Sequence, residues 1–301
     1  MTTILLLTLA FCIIAFIIAL LIFVIGPVML LSPRRRDDNF YKQRGEPVRP
    51  SDLQLSYEEL WFKGMDDIQL HAWYIPAPLP SAGTILYLHG VGDNKCAGIP
   101  LAKIFHDHGF NVFLYDSRAH GMSGGKYCTY GYHEKFDVRL AIDFCIKKWN
   151  IKEKIGLFGT SMGAAIAVQA AAIEPRISAV VAEGCFTNLR TITVDYQKRL
   201  LRIPWHFLRN FVMKRSEYLA HFRHRDISPM QSLAAVHVPI LFIHGKNDSL
   251  IRYQYSEELF AVASEPKELY LIDDANHGNI HQVAQREYEE RVVGFFERWL
   301  K

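Results

Sequence analysis

Residues 155–164 read Ile-Gly-Leu-Phe-Gly-Thr-Ser-Met-Gly-Ala: a short apolar run, a Gly-x-Ser-x-Gly turn, and the start of a small-residue stretch. The run Ile155 to Phe158 is too brief for a helix and too apolar for an edge strand, so it reads as a buried strand. From Met162 the pattern becomes helical. A serine on the turn between the two is held in a strained backbone with its oxygen raised above the sheet, and the flanking glycines leave it room. Ser161 is therefore the candidate nucleophile.

Working outward, the same alternation repeats. Apolar runs at 84–88, 112–115, 180–182, 240–243 and 269–272 alternate with amphipathic patterns at 99–108, 134–149, 162–173, 253–263 and 285–299. Strict alternation predicts a mostly parallel sheet covered by helices on both faces. Two strand-like stretches, 55–62 and 68–75, are separated by Lys63, Gly64, Met65, Asp66 and Asp67, which predicts an antiparallel hairpin at the start of the sheet. The alternation breaks only at 186–236, a helical and aromatic insertion.

A serine hydroxyl needs a neighbouring base, and the base needs an acid to fix its tautomer. His277, in the loop Asp273 to Gly278 after the last strand pattern, is the candidate base. Asp248, which follows strand 240–243 in His244, Gly245, Lys246, Asn247, Asp248, is the candidate acid, with Glu183 and Asp273 as rivals. All three groups then emerge at the carboxyl edge of the sheet, where sites of open α/β sheets assemble. The developing oxyanion calls for two backbone N–H groups, assigned to Met162 after the nucleophile and to Val91 in the loop His89 to Asp93. Gly90 and Gly92 lack the lysine and spacing of a phosphate loop.

The N-terminus is different in kind. From Ile4 to Leu31 there is no charged side chain, which is longer than the roughly 20 residues that cross a bilayer as a helix. A cleaved signal peptide wants a positive leading region and a small-residue cleavage site, and neither is seen. Arg34, Arg35, Arg36, Lys42 and Arg44 follow the run, so the positive-inside rule places the remainder in the cytoplasm. Gly26 and Pro27 predict a kink or an early exit from the hydrocarbon. The expected organisation is an anchor at 1–32, a basic juxtamembrane linker at 33–51, and one catalytic domain at 52–301 that carries the insertion 186–236.

Composition sets the remaining bounds. Half of the 301 residues are apolar, enough for a substantial core, and 34 basic against 31 acidic side chains give a net charge of only +3. That balance argues against a nucleic-acid partner. The five cysteines, at 12, 96, 128, 145 and 185, lack metal-ligand or redox spacing and read as free thiols. No metal or organic cofactor is expected, since the histidines show no ligand spacing and triad chemistry needs none.

Taken together, LYLHGVG (Leu86 to Gly92), YDSRAHGMSGG (Tyr115 to Gly125), GTSMG (Gly159 to Gly163), IHGKND (Ile243 to Asp248) and NHG (Asn276 to Gly278) resemble the α/β-hydrolase superfamily, in particular its membrane-associated BEM46-like and S9/S33-related serine hydrolases. The resemblance covers about 55–300. It implies an eight-stranded sheet, a mobile cap formed by 186–236, and hydrolysis of carboxylic esters, acylglycerols or lysophospholipids, with peptides less often. Asp116, Arg118 and His120 are expected to brace the loop after their strand.

Between residues 190 and 225 of the insertion, Arg190, Lys198, Arg199, Arg202, Arg209, Lys214, Arg215, Arg223 and Arg225 stand against Asp195 and Glu217, interleaved with Trp205, Phe207, Leu208, Phe211, Val212 and Met213. A basic amphipathic helix of this kind suits an anionic membrane, so the expected partners are an ester or lipid substrate and a bilayer, touched by the anchor and by the cap. A charged face over a packed apolar one is the plainer reading. Competing functions are a serine peptidase, an acyl-thioesterase or acyltransferase that shares the acyl-enzyme, and a catalytically silent membrane-tethered binding protein. A basic cap disfavours an aminopeptidase, which must hold a substrate ammonium.

Overall fold

The computed structural model describes residues 2–78, 80–198 and 206–301. Eight strands form one sheet: β1 (Glu58–Lys63), β2 (Gln69–Ile75), β3 (Thr84–Leu88), β4 (Asn111–Tyr115), β5 (Ile155–Thr160), β6 (Ile177–Glu183), β7 (Ile240–Gly245) and β8 (Lys267–Ile272), in the order β1-β2-β4-β3-β5-β6-β7-β8. The hairpin β1–β2 and the β2–β4 contact are antiparallel, and every pair from β4 through β3, β5, β6 and β7 to β8 is parallel. The arrangement is the α/β-hydrolase fold expected from the sequence.

Alternation along each central strand divides the core in two. Leu86, Leu88, Phe113 and Leu157 point to one face, where helices α5 (Glu134–Trp149), α6 (Met162–Ala171) and α10 (Gln254–Val262) supply Val138, Ile142, Ile166 and Leu259. Ile85, Tyr87, Val112 and Phe158 point to the other, against α4 (Ile99–Asp107) and α11 (Ile280–Leu300). Burial on both sides is why these strands read as continuous apolar runs. Cys96, Cys128, Cys145 and Cys185 are buried among them, unpaired.

Between β6 and β7 the insertion folds as α7 (Leu189–Tyr196), α8 (His206–Ala220) and α9 (Pro229–Ser232) with short 3-10 turns. Arg199, Arg202 and Trp205, part of the expected basic helix, lie outside the described residues.

The N-terminal apolar run is helical throughout: α1 (Thr2–Leu20), a π-helical turn over Leu21–Ile25 and α2 (Gly26–Leu31). Pro27 lacks an N–H, and the Gly26 N–H reaches back to the Leu21 carbonyl, so the hydrogen-bond ladder slips by one residue where the sequence predicts a kink. Both the end of this helix and the stretch after it pack against the domain. Leu31 is fully buried in the domain core, with its carbonyl accepting the Cys128 N–H at 2.8 Å. The stretch 33–51, the expected juxtamembrane linker, is docked on the domain. Arg35 donates to the carbonyls of Gly121, Ser123 and Gly125, Arg36 pairs with Asp93 at 2.9 Å, and α3 (Asp38–Lys42) buries Tyr41 against Asp93 and Asn94. The polar side chains of this stretch satisfy loop carbonyls and carboxylates that would otherwise go unpaired.

Candidate active site

Ser161 stands between β5 and α6 with φ 54° and ψ −114°, a conformation an L-residue adopts only under constraint. Its N–H donates to the Glu183 carbonyl at 2.7 Å and its own carbonyl takes the Ala165 N–H at 3.2 Å, so the strained turn is tied to β6 on one side and to the helix on the other. Gly163 explains the last letter of the motif. A Cβ there would lie 1.9 Å from the Leu88 carbonyl oxygen, because α6 crosses directly over the end of β3. That oxygen belongs to a central strand and cannot retreat. Gly163→Ala is therefore expected to destabilise the fold by more than about 3 kcal/mol, measured as the loss in denaturant midpoint. A shift of a few tenths would show that the helix can ride outward.

Asp248 follows β7 and His277 follows β8, and their loops are joined by the Asn247 N–H on the Ala275 carbonyl at 2.9 Å. His277 Nδ1 lies 2.6 Å from Asp248 Oδ2. The Nδ1–H tautomer donates to this carboxylate and leaves Nε2 unprotonated in the neutral ring, the form a general base requires. The rivals are placed elsewhere: Glu183 accepts from Tyr288 Oη at 2.6 Å, and Asp273 pairs with Lys246 at 2.6 Å on the surface. Gly184, which has φ +63°, lies between the imidazole and the backbone of the serine. A Cβ on Gly184 would stand 3.3 Å from His277 Cε1 and 4.0 Å from the Ser161 nitrogen, and the positive φ favours glycine there.

Asp248 has a second histidine that the sequence reading did not single out. Buried His244, at the end of β7, sits with Nε2 3.2 Å from Asp248 Oδ2 and 3.0 Å from the Ile251 carbonyl, and Nδ1 2.7 Å from Ser256 Oγ. Two acceptors facing Nε2 assign its proton there, and Ser256 then donates to Nδ1. The N–H groups of Leu250 and Ile251 donate to the other oxygen at 2.7 and 2.8 Å. Burial alone would raise the Asp248 pKa, but the hydrogen bonds from His244 and His277, the nearby His277 charge and the Ile251 N–H together hold it well below the ordinary carboxylate range.

The two expected oxyanion donors share one cavity with the nucleophile: Val91, Ser161 and Met162 line a space of about 60 Å³, closed by Leu30, Leu189 and Ile192. Met162 is the first residue of α6, where a backbone N–H has no partner within its own helix. His89 orders the other donor. Its Nε2 accepts the Ser117 N–H at 2.9 Å, so Nδ1 carries the proton and donates to the Gly90 carbonyl at 2.8 Å. Fixing that carbonyl fixes the Gly90–Val91 peptide plane, and the Val91 N–H points the opposite way. Below it, Asp116 accepts from the Lys95 backbone and Nζ and from the Met122 N–H, while Arg118 grips Asp137 with two bonds of 2.7 and 2.8 Å. These residues brace the loop as expected.

The loop histidines set an acid limit. Burial, with the charge of His89 adding to it, pushes His120 down to about 3, and burial lowers His89 in the same direction. As pH falls below the ordinary value of 6.5 the unfolded chain takes up protons that the folded rings refuse, so stability drops until His120 titrates at about 3. Asp116 and Asp248, both lowered, act in the same sense, contributing stability above the carboxylate range and losing it below. At pH 5 His120 alone is expected to cost about 2 kcal/mol relative to pH 7. Denaturant midpoints at the two pH values for the wild type and His120→Gln check this, and equal pH dependence in the two proteins would contradict it.

A larger polar cavity of about 410 Å³, bordered by Arg35, Arg36, Arg49, Lys95 and Asp116, shares no lining residue with the first. Its charges are largely spent on one another: Arg36 on Asp93, Arg49 on Asp38, Lys95 on Asp116. Among the described residues no group of three or more His, Cys, Asp or Glu side chains could hold a metal ion.

A family model described as serine aminopeptidase, S33, matches residues 80–235. Among relatives, YfhR of Escherichia coli K12 is 30% identical over 92% of this chain and 93% of its own length. YqkD of Bacillus subtilis is 27% identical over 91% of each chain. Both carry the description uncharacterized protein. Among solved structures, the Pyrococcus furiosus esterase Pf2001 superposes with a TM-score of 0.73 at 27% identity, covering 90% of this chain and all of that one.

Proposed function

Because this chain belongs to the α/β-hydrolase superfamily, in the family described as serine aminopeptidase, S33, we propose that it is a serine hydrolase that cleaves carboxylic esters of apolar acyl groups, with lipid-like esters favoured. The observation that carries the reading is the Asp248–His277 bond of 2.6 Å at the same edge of the sheet as the strained Ser161.

In the proposed reaction Ser161 Oγ attacks the ester carbonyl carbon as His277 Nε2 takes the hydroxyl proton, and Asp248 stabilises the imidazolium. Negative charge gathers on the carbonyl oxygen against the N–H groups of Val91 and Met162. The carbon–oxygen bond to the alcohol breaks, and the leaving alkoxide receives the proton from His277. Water then attacks the acyl-enzyme, again losing a proton to His277. The acid departs as that proton returns to Ser161.

The cavity walls support esters over peptides as substrates. Leu30, Leu189 and Ile192 are apolar, and among the described residues no carboxylate lines the space, whereas an aminopeptidase must hold a substrate ammonium. Membrane attachment is part of the proposal. The helix Thr3–Leu31 is long and apolar enough to span a bilayer, and Phe11 and Phe16 are among its many exposed side chains. A leader peptide would be cut away, but here its end is packed into the domain core, which favours a retained anchor with the basic flank and the domain in the cytoplasm. On α8, Phe207, Phe211 and Tyr218 are exposed near Lys214 and Arg215, with Arg215 over Phe23 of the π-helical turn at 5.9 Å, as a cap resting on an anionic membrane would have them.

The test is a panel of 4-nitrophenyl esters, monoacylglycerols, lysophospholipids and aminoacyl anilides offered to the full chain in detergent. Turnover of the esters, with anilides untouched, is expected. Preferential cleavage of the anilides would replace the esterase reading with a peptidase.

A further inference from the structure

The apolar helix is longer than a bilayer needs. At 1.5 Å per residue its 29 residues extend about 43 Å against a hydrocarbon core of about 30 Å, a surplus of roughly nine residues. The surplus falls where the helix meets the domain. Ile22 is buried, and Gly26 crosses α8 so closely that a Cβ would lie 2.6 Å from Val212 Cγ2. The last turn then enters the site. Tyr130 Oη donates to the Leu30 carbonyl at 2.7 Å, Leu31 is sealed in the core, and Leu30, packed against that core, lines the cavity over Ser161.

We propose that this last turn is a fixed wall of the acyl site, and that Leu30 sets the acyl length the enzyme accepts. The inference rests on the esterase reading and adds to it that specificity is set partly by the anchor. Two hydrogen bonds and a buried neighbour hold the wall, so it does not swing aside as a loop would. The cavity, about 60 Å³, holds a few water-sized groups, and an acyl chain of more than a few carbons must displace one of its apolar walls. Leu30 is the wall that the anchor helix contributes, beside Val91, Tyr130 and Ile251 from the domain and Leu189 and Ile192 from the cap. Val28, exposed on the same helix, does not line the cavity.

The experiment compares butyl and decyl fluorophosphonates as covalent probes of Ser161 in full-length protein, alongside butanoyl and decanoyl 4-nitrophenyl esters. Leu30→Ala should raise the long-to-short ratio of rates about tenfold, and Leu30→Trp should lower it by at least as much while the short probe still reacts. Val28→Ala should leave the ratio unchanged. Ratios within twofold of wild type in both Leu30 variants, with Ser161 still labelled by the short probe, overturn the wall alone. An equal shift in Val28→Ala overturns it too, since loosening of the helix would then be the cause. Absence of any labelling at Ser161 in the wild type removes the esterase reading and the wall with it.

Discussion

Ser161→Ala is expected to lower kcat on the best ester by about 10⁵- to 10⁶-fold, leaving only the rate that positioning and the oxyanion donors supply. The size follows from the chemistry. Water has to attack in place of the hydroxyl, without the geometry that the strained turn gives Oγ, and the acyl-enzyme route is closed. The backbone should be unaffected, because alanine meets the same penalty at φ 54° as serine and the bonds to Glu183 and Ala165 are made by main-chain atoms. Steady-state kinetics with far-UV circular dichroism and a melting curve check both halves. A loss below tenfold in a folded variant would mean that another group attacks the substrate.

Asp248→Asn is expected to cost about 10⁴-fold in kcat with little change in KM. The carboxylate faces only donors: His277 and His244 at one oxygen, and the Leu250 and Ile251 N–H groups at the other. An amide has one oxygen to offer. If that oxygen serves the two backbone donors, its NH₂ faces His277 Nδ1 and selects the tautomer with the proton on Nε2, which can no longer take a proton from Ser161. If it serves the histidines, the NH₂ faces two N–H groups, and the variant loses about 1–3 kcal/mol of stability through unpaired buried groups. Kinetics over pH together with melting curves separate the two orientations. Unchanged kcat would mean that His277 needs no acid behind it.

Much of the fold was legible because burial on both faces writes itself into composition. Strand 84–88 is found at those residues, and helix 134–149 likewise, since each is a clean apolar run or a clean period bounded by turn chemistry. Helix 285–299 is found close to its expected bounds, and the helical turn from Ile280 that precedes it is set off by Gln285, whose φ of +45° and ψ of −123° are not helical. Ser161, Asp248 and His277 were legible as candidates by chain order, since the triad logic fixes the sequence of its parts, and the structure brings Asp248 and His277 to 2.6 Å.

What the residues did not disclose was tertiary. A histidine ending a buried strand looks the same whether or not it holds a carboxylate, so His244 gave no signal. An apolar stretch of 28 residues reads as membrane throughout, and nothing local distinguishes Leu30, which faces the site, from Met29, which is exposed. The docking of Arg35, Arg36 and Tyr41 likewise depends on carbonyls and carboxylates more than 50 positions away.

The most direct check on the central claim is to treat the full-length protein with a fluorophosphonate, digest it, and locate the adduct by mass spectrometry. The proposed chemistry requires one phosphonylated side chain, Ser161, and a labelling rate that collapses in His277→Ala. An adduct on a different residue, or unaltered Ser161 labelling once the imidazole is removed, would contradict it.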